Sequence, residues 1–415
     1  MGVYNFIGCS ILLGFILFSC SCLVYSAGVG LAAVELLSSR FFIFDSLSFY
    51  MVLLVTLLGA FSVISVGYSL SVNTKVYLAL SLVFSGVCFC TNHAILFWCF
   101  YELSMLPLLF LIFKDSPYSE RFLAGWYFAV YLLVTSLPLI LILLYLSSVG
   151  NSFTLSEWGN NGSLGVYTIL SLVFFTKVPL SPFHTWLPIV HAEATSIVSI
   201  YLSGYIMKLG LLGVYRCTPF LFSGDFYFYL FFCCVLSVFF IITASTELDG
   251  KRWLAFLSLS HIVVSFLAFY VCSWETISLS FVFCLGHGLS AGLVFGMLWM
   301  LYDTAGSRNW LLLKGALGGS SSTVLMVLSL LSLCSFPPTL QFFCEVKLLS
   351  ESTFSYLFIL FWGVYLFFGG LVPLVLCGHT LIRIETVESG CYNSFNFYFF
   401  FMCLVMWCYF GVALI

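Results

Sequence analysis

The chain has 415 residues, of which 62% are hydrophobic and only 7% are charged, and its formal net charge is −3. Apolar runs of twenty or more residues follow one another from end to end, which is typical of a polytopic helical membrane protein. No long polar block remains for a soluble domain, and this excludes an ordinary soluble active site or a nucleic-acid surface. The net charge is too small to argue for an acidic or a basic partner.

Polar clusters divide the chain into thirteen predicted membrane-spanning segments. In chain order they are about 5–27, 48–70, 76–92, 93–113, 122–147, 164–183, 190–215, 226–246, 252–272, 276–302, 320–345, 352–378 and 393–413. The first lacks a basic n-region and a small-residue cleavage site, so we interpret it as a retained helix. We therefore predict an all-α polytopic protein with a single integral membrane domain over 1–415.

The basic residues of the loops test this count. When loops are assigned alternately to two sides, eight basic residues fall on the side of the N-terminus and three on the other. The eight are Lys75, Lys114, Arg121, Lys251, Arg252, Arg308, Lys314 and Arg383, and the three are Arg40, Arg216 and Lys347. This asymmetry favours thirteen spans with the N-terminus on the negative side of the membrane, either matrix or cytoplasm.

Six ionisable residues inside the predicted spans are candidates for function. A charge near the bilayer centre costs about 2.5–3.5 kcal/mol on insertion scales, so such groups persist where they face a bundle interior, a partner or water. The six are Glu102, Lys177, Lys208, His261, His287 and Glu345. The seventeen cysteines, in contrast, are scattered through apolar runs without a C-x-x-C motif. We interpret them as small buried hydrophobes and predict no metal site.

Each ionisable group also has a purely structural interpretation. Glu102 lies about nine residues into its span, roughly 13 Å from the end at 1.5 Å per residue, and Lys177 lies deeper. The two are either functional or a buried structural ion pair. Lys208 precedes Arg216 by eight residues, so its ammonium group could instead reach the interface by snorkelling.

The remaining three groups have similar alternatives. His261 and His287 are either proton carriers or core histidines that hydrogen-bond across helices. Glu345 is either functional or part of a charge pair with Lys347 at a helix end.

Prolines interrupt two of the spans. The first interruption holds Pro179, Pro182 and Pro188, and the second holds Pro337 and Pro338. Proline lacks the N–H group and clashes with a preceding carbonyl, so neither span continues as one helix. Irregular backbone at membrane depth is tolerated where it is buried in protein or lines a hydrated cavity. The interruptions are five spans apart and therefore inverted, which predicts two inverted five-helix repeats, each with a proline-broken helix.

The first repeat is predicted over 76–215 and the second over 226–378, followed by a C-terminal helix at 393–413. Polar residues at the breaks would then line a wet path through the bundle. Burial disfavours the charged form of a lysine and a nearby carboxylate favours it, so Glu102 and Lys177 could switch the lysine between charged and neutral forms. Moving the carboxylate's influence away would release a proton, with no covalent chemistry.

Seven stretches resemble, in the same order, the antiporter-like family that the membrane subunits of respiratory complex I share with Mrp-type cation/proton antiporters. They are "FYELSMLPLLFLI", "SERFLAGWYFAVYLLVTSLPLI", "KVPLSPFHTWLPIVHAEA", "MKLGLLGVYR", "LDGKRWLAFLSLSHI", "GHGLSAGLVF" and "FPPTLQFFCEVKLL". Together they cover about 100–350. The lysine-proline-histidine-tryptophan-leucine-proline run is highly specific.

The resemblance implies roles for particular residues. The family's proton-path glutamate, broken-helix lysine, next-helix lysine, central histidine and distal ion fall on Glu102, Lys177, Lys208, His287 and Glu345. Two weaker candidates for the same hydrated axis are His261 and Lys251. A glutamate at the distal position is similar to one member of the family, whereas a related member carries lysine there.

Two departures from the family pattern stand out. The family usually has fourteen spans, and here Glu102 falls in the fourth span instead of the fifth. Loss of the family's first helix would place the N-terminus on the matrix side, as the basic residues also indicate. In addition, the family's "HVEAP" reads "HAEAT", with Thr195 in place of proline, which leaves the local helix geometry after Glu193 open.

The resemblance implies a non-redox, proton-translocating subunit of NADH:ubiquinone oxidoreductase in the mitochondrial inner membrane. It implies no cofactor in this chain, with NADH, FMN, iron–sulfur clusters and ubiquinone in other subunits. The expected partners are other membrane-arm subunits, with the antiporter-like chains 2 and 5 as neighbours, together with lipid and protons. Two alternatives stay open: a subunit of an Mrp-type cation/proton antiporter, and a structural membrane-arm subunit without pumping.

Overall fold

The computed structural model of the chain describes residues 35–66, 70–158, 162–218, 226–273, 276–317, 320–382 and 394–414. The predicted first span at 5–27 lies outside these ranges. Within them, eight helices are long and apolar enough to cross a membrane. The chain is therefore a helical membrane protein, as the composition predicts.

The helices follow one another through the described ranges. They are α1 (Ser46–Val66), α2 (Val72–Phe89), α3 (Ala94–Asp115), α4 (Arg121–Gly150), α5 (Leu164–Lys177), α6 (Trp186–Glu193), α7 (Ser196–Cys217), α8 (Phe226–Thr246), α9 (Gly250–Val271), α10 (Leu279–Ala305), α11 (Trp310–Leu313), α12 (Ser320–Leu333), α13 (Leu340–Glu351), α14 (Tyr356–Leu381) and α15 (Ser394–Phe410). Helix α7 contains a π-helical turn, Leu202–Ile206.

The predicted spans differ from these helices mainly at the prolines. The segment predicted at 164–183 stops being helical at Lys177. The segment predicted at 190–215 combines the end of α6 with α7, and the segment at 320–345 holds α12 and the first half of α13. The hydrophobic pattern indicates the length of the segment that lies in the membrane, but it does not show where a proline removes the helical hydrogen bonds.

A short antiparallel hairpin precedes α1 and departs from the predicted all-α fold. Its strands are β1 (Glu35–Ser38) and β2 (Ile43–Asp45). Asp45 at its end accepts a hydrogen bond from the backbone N–H of Ser48 at 2.8 Å, which satisfies a free donor in the first turn of α1. The same carboxylate lies 3.3 Å from Arg216 at the end of α7, so the hairpin joins the two helices.

Helices α7 and α10 form the centre of the bundle, and each contains an eighteen-residue stretch that is completely buried. They approach each other closely at two glycines: a Cβ added at Gly288 would lie 3.0 Å from the carbonyl oxygen of Gly204. Helix α10 also packs against α1, α12, α13 and α15. Peripheral helices such as α4 expose large apolar side chains, among them Trp126 and Leu137, as expected for a lipid-facing surface.

Side chains satisfy the backbone where the first break interrupts the helix. Trp186 donates its indole N–H to the carbonyl of Thr176 at 3.0 Å, and the Tyr229 hydroxyl donates to the carbonyl of Ser181 at 2.7 Å. These bonds replace the helical bonds that the prolines remove, and they bury the irregular backbone in protein, as membrane depth requires.

Helix α6 ends where the sequence departs from the family pattern. It stops at Glu193, and Ala194 and Thr195 then have extended backbone conformations before α7 begins at Ser196. The helix therefore ends here with threonine in place of the family's proline, which answers the question left open by the sequence.

Candidate functional site

The first polar group, which we call the pair site, consists of Glu102, Lys177 and Tyr101. Lys177 is the last residue of α5, and its Nζ lies 2.9 Å from Oε1 of Glu102 on α3. The lysine and glutamate side chains are 3% and 12% exposed, so the ion pair is shielded from bulk water. The structure thus brings together the two residues that the sequence singled out as a pair.

Aromatic and glycine residues surround this ion pair. Nζ of Lys177 lies 4.8 Å from the centre of the Tyr101 ring, within cation–π range. The Tyr101 hydroxyl lies 3.5 Å from the position of a Cβ added at Gly210 on α7, and that Cβ would also collide with Val178. Glycine therefore lets α7 approach the end of α5. Lys208 precedes Gly210 by two residues in the same helix.

Lys208 is completely buried. Its Nζ donates to the backbone carbonyl of Ser203, which belongs to the π-helical turn of α7. Such turns interrupt the regular helical hydrogen bonds and occur frequently at functional sites. A snorkelling lysine would instead carry its ammonium group to water, so the structure does not support that alternative.

The second polar group, which we call the histidine site, consists of His261, His287, Gln341, Glu345 and Tyr365. The two imidazole rings, from α9 and α10, have centroids 5.1 Å apart. Nδ1 of His261 lies 2.6 Å from the Tyr365 hydroxyl and 3.2 Å from Nε2 of Gln341. His287 is 1% exposed, and within the described ranges neither of its ring nitrogens has a hydrogen-bond partner.

Glu345 completes the histidine site from the far side of the second break. It is 2% exposed, and its Oε1 accepts hydrogen bonds from the Ser335 hydroxyl at 2.8 Å and from Nε2 of Gln341 at 3.3 Å. Because the same Gln341 nitrogen approaches His261, one amide connects the carboxylate to the imidazole. In the part of the chain that the structure describes, no cation lies within salt-bridge distance of Glu345, so the alternative pair with Lys347 is not formed.

A third polar group, which we call the end cluster, consists of Tyr118, Glu193, Asp249, Lys251 and Arg308. Arg308 places Nη1 3.7 Å from Oε1 of Glu193 and Nε 3.3 Å from Oδ2 of Asp249. The Tyr118 ring lies between two cations, with its centre 5.0 Å from Nζ of Lys251 and 4.2 Å from Cζ of Arg308. Burial raises the pKa of the Tyr118 hydroxyl, which therefore stays protonated.

The end cluster and the neighbouring Ser116 hold the C-terminal end of the half-helix α6. Three successive carbonyls, those of residues 192–194, accept hydrogen bonds from Arg308, Ser116 and Lys251 in that order. The last of these bonds is 2.8 Å long. Carbonyls at a helix C-terminus lack partners within the helix, and cations are favoured there by the helix dipole. Lys251 is thus placed at one end of the bundle, apart from the histidine site.

The predicted residues do not form one continuous chain of hydrogen bonds. The described bonds join Glu102 to Lys177, and His261 to Glu345 through Gln341. Lys208 belongs to neither set of bonds, although its charge acts on both histidines of the histidine site. Transfer of a proton between the groups would therefore need bridging water.

Several residues of these groups were not found from the sequence. Gln341 precedes Glu345 by four positions on one helix, a spacing that places two side chains on the same face, so a signal was present. No sequence signal marked Tyr365 or Tyr118, because a tyrosine in an aromatic-rich chain does not stand out until its partner is known. Arg308 was counted only as a loop charge.

Comparisons with known proteins bear on this arrangement. Residues 91–371 match the family model described as NADH:quinone oxidoreductase/Mrp antiporter, TM. That region contains the pair site, the histidine site and the end cluster.

Similar proteins include three that are named NADH-ubiquinone oxidoreductase chain 4. The protein of Rhipicephalus sanguineus is 28% identical over 74% of this chain and 72% of its own length. That of Locusta migratoria is 30% identical over 72% of this chain and 67% of its own length. The protein of Ceratitis capitata is 32% identical over 65% of this chain and 62% of its own length. The matched region therefore spans less than two thirds of that relative.

Two solved structures share the fold. A chain of respiratory complex I from Thermus thermophilus with bound NADH superposes with a TM-score of 0.78 at 20% identity, covering 92% of this chain and 86% of that chain. A chain of the Mrp complex from Dietzia sp. DQ12-45-1b superposes with a TM-score of 0.77 at 16% identity, covering 93% of this chain and 76% of that chain. The antiporter-like architecture therefore extends over most of the described chain.

Proposed function

Because this chain belongs to the NADH:quinone oxidoreductase/Mrp antiporter family, we propose that it is a proton-translocating membrane subunit of an NADH:ubiquinone oxidoreductase, respiratory complex I. The observation that carries the proposal is the largely buried Glu102–Lys177 ion pair, 2.9 Å long, at the point where α5 breaks. The relatives named chain 4 of that enzyme support complex I over an Mrp-type assembly.

The pair site would act as an electrostatic switch. At 2.9 Å, two unit charges attract each other by about 6 kcal/mol if the effective dielectric constant is about 20. Separation to about 7 Å would reduce this to about 2 kcal/mol, enough to change the protonation equilibrium of the lysine by more than about a hundredfold. Lys177 would then give up its proton without any covalent step.

The remaining polar residues would pass that proton along the bundle. We assign Lys208 and His287 as the relay, with His261 beside them, and Glu345 as the exit-side gate. Lys251 would belong to the opposite end of the same axis. The burial of these side chains supports the assignment, because burial strengthens the influence of one charge on the next.

The architecture and setting follow from the same proposal. We propose thirteen spans, with inverted repeats over 76–215 and 226–378 and a C-terminal helix at 393–413. The N-terminus would face the matrix of a mitochondrion, in the inner membrane. NADH, FMN, iron–sulfur clusters and ubiquinone would bind other subunits, and chains 2 and 5 of the complex would be the neighbours.

A native-gel separation tests membership in the complex. Membranes that contain the chain are gently solubilised, separated, and stained for NADH dehydrogenase activity, and mass spectrometry locates the chain. We expect it in a large NADH-oxidising band. Recovery in a smaller assembly without redox partners would contradict the proposal and favour the Mrp-type antiporter.

The Lys177→Met variant tests proton translocation by this chain. Membrane vesicles that contain the assembled complex are supplied with NADH, and proton uptake is measured together with NADH oxidation. We expect uptake to fall at least about tenfold, a cautious threshold below the roughly hundredfold or larger contribution of a positioned proton-transfer group. The exposed Lys114→Met variant is the control. Normal pumping by an assembled Lys177→Met complex would favour the structural alternative.

A further inference from the structure

Two buried tyrosines on α7 form hydrogen bonds with serines of neighbouring helices. Tyr201 lies just before the π-helical turn Leu202–Ile206 and Tyr205 lies within it, and both side chains are completely buried. The Tyr201 hydroxyl lies 2.7 Å from Oγ of Ser62 on α1, and the Tyr205 hydroxyl lies 3.0 Å from Oγ of Ser81 on α2. The same kind of bond therefore occurs twice on α7, about one helical turn apart.

The bond of Tyr205 continues to a third helix. Oγ of Ser81 also lies 2.7 Å from the backbone carbonyl of Ser104 on α3. A serine hydroxyl has one proton and a carbonyl has none, so Ser81 donates to Ser104 and Tyr205 donates to Ser81. We call this connection, which consists of Tyr205, Ser81 and the Ser104 carbonyl, the tyrosine bridge. All three residues are completely buried, so bulk water does not compete for these bonds.

Each end of the tyrosine bridge lies beside a residue of the proposed proton path. At one end, Ser104 follows Glu102 of the pair site by two positions on α3. At the other end, the π-helical turn supplies the Ser203 carbonyl that accepts a hydrogen bond from Nζ of Lys208. The bridge therefore connects the backbone that carries the carboxylate of the pair site to the backbone that holds the Lys208 ammonium group.

Both ends of the tyrosine bridge are also places where regular helical bonding is interrupted. In the π-helical turn, the N–H of Met207 donates to the carbonyl of Leu202, which is one residue further away than in an α-helix. On α3, Pro107 lacks an N–H, so the carbonyl of residue 103 loses its helical donor. Helices bend most readily at such positions. A displacement of α3 beside Glu102 would therefore pull on the π-helical turn through the bridge.

We propose that Tyr205 is a positioning residue that couples the Lys208 ammonium group to the pair site. The inference rests on the proposed function, since it concerns the residues of the same proton path. When Glu102 and Lys177 separate, the movement of α3 reaches the π-helical turn through the tyrosine bridge and displaces the Ser203 carbonyl that holds Lys208. The bridge carries no proton, because each of its hydroxyl hydrogens stays on its own oxygen. Lys208 is thus moved at the step in which Lys177 gives up its proton.

Tyr205→Phe tests the coupling, because it keeps the buried ring and removes only the hydroxyl. Ser81 keeps the Ser104 carbonyl as its acceptor in this variant, so we expect the complex to assemble, which native gels check. In vesicles that contain the assembled complex, NADH-driven proton uptake should fall at least about twofold, the smallest effect expected of a residue that couples two sites. The pH profile of uptake should also change, because the protonation of a buried lysine depends on its hydrogen-bond partner. A tyrosine that only packs would leave that profile unchanged.

Tyr201→Phe is the matched control on the same helix. Its hydroxyl is equally buried, but Ser62 donates its own proton to the Gly59 carbonyl of α1 at 3.0 Å. The bond of Tyr201 therefore joins α7 to α1, whereas that of Tyr205 leads to the helix of the pair site. We expect Tyr201→Phe to leave proton uptake and its pH profile unchanged. Both tyrosine variants should lower by a similar amount the temperature at which the solubilised complex loses this chain.

Ser81→Ala breaks the tyrosine bridge at its middle and provides a second test if Tyr205→Phe does not assemble. We expect it to reduce proton uptake as much as Tyr205→Phe does. The double variant should reduce uptake no further, because the two residues act through one connection.

The outcomes distinguish this inference from the proposed function. If an assembled Tyr205→Phe or Ser81→Ala complex pumps normally while Lys177→Met does not, the inference is wrong and the proposed function stands. An equal loss of uptake in Tyr201→Phe also overturns the inference, since packing of α7 would then explain both results. If Lys177→Met itself pumps normally, the proposed function fails.

Discussion

The pair site and the histidine site stabilise a carboxylate inside the membrane in different ways. Each places a carboxylate that is largely shielded from water beside a proline-broken helix. Glu102 is neutralised directly by an ammonium group 2.9 Å away. Among the described residues, the side chains that donate to Glu345 are both neutral, the Ser335 hydroxyl and the Gln341 amide.

This difference determines what each site can do. A direct ion pair makes the charge of one partner depend on the position of the other. A carboxylate with neutral donors has no such partner, and burying its charge is costly. The pair site therefore suits charge switching, and the histidine site suits the uptake and release of a proton by a group that tolerates the neutral form.

The largest contrast is expected from one substitution made at both carboxylates. Glu102→Gln leaves the Lys177 ammonium buried without its counter-charge, which should lower the free energy of unfolding by about 3–5 kcal/mol. Glu345→Gln keeps hydrogen-bonding groups and leaves no cation without its counter-charge. We therefore expect it to lower the free energy of unfolding by less than about 1 kcal/mol. The measurement is the temperature at which the solubilised complex loses this chain, followed on native gels after heating steps.

An exposed carboxylate supplies the control for that experiment. Glu120→Gln, at the start of α4, should not change the temperature. Equal losses at Glu102 and Glu345 would show that the two sites do not differ in the way the contacts indicate.

The second contrast concerns Gln341, because the pair site contains no comparable amide. Gln341→Met keeps the length of the side chain but removes its hydrogen bonds with His261, Glu345 and Ser290. We expect Gln341→Met to lower the free energy of unfolding by about 1–3 kcal/mol. In a double-mutant cycle, its effect and that of Glu345→Gln should not be additive. Its effect should simply add to that of Glu102→Gln, since distant sites are independent. Additivity with Glu345→Gln would contradict the contact.

Glycines near the two sites provide a third contrast. A Cβ at Gly210 would collide with Val178, the residue after Lys177, whereas a Cβ at Gly286 would lie 3.3 Å from the backbone nitrogen of Gln341. Overpacking costs about 1–3 kcal/mol, so Gly210→Ala should lower the dissociation temperature more than Gly286→Ala. Proton uptake by the two assembled variants shows whether the displaced group matters for transport. The reverse order of stability would refute the steric argument.

The smallest contrast concerns two tyrosine hydroxyls. The Tyr365 hydroxyl lies 2.6 Å from Nδ1 of His261, so Tyr365→Phe should cost about 1 kcal/mol. The buried Tyr101 hydroxyl has no hydrogen-bond partner within the described ranges, so Tyr101→Phe should cost nothing or stabilise the protein slightly. The same heating experiment compares them. A larger loss from Tyr101→Phe would mean that its hydroxyl has a partner in the assembled complex.

The sequence by itself determined the class of the protein and most of the residues of interest. Apolar runs predicted a helical membrane protein because the bilayer fixes the length of a span. Charges inside those runs predicted the pair site, because an uncompensated charge at membrane depth is too costly to occur by chance. Prolines marked both helix breaks, although the hydrophobic pattern placed their ends incorrectly.

Only the tertiary structure decided which groups meet. Lys177 and Glu102 are 75 residues apart, and His261 and Tyr365 are 104 apart, and no local pattern encodes such distances. The structure also separated Glu345 from Lys347, which are close in sequence but do not pair. Partners of this kind depend on how helices pack side by side, because packing brings together faces from distant parts of the chain.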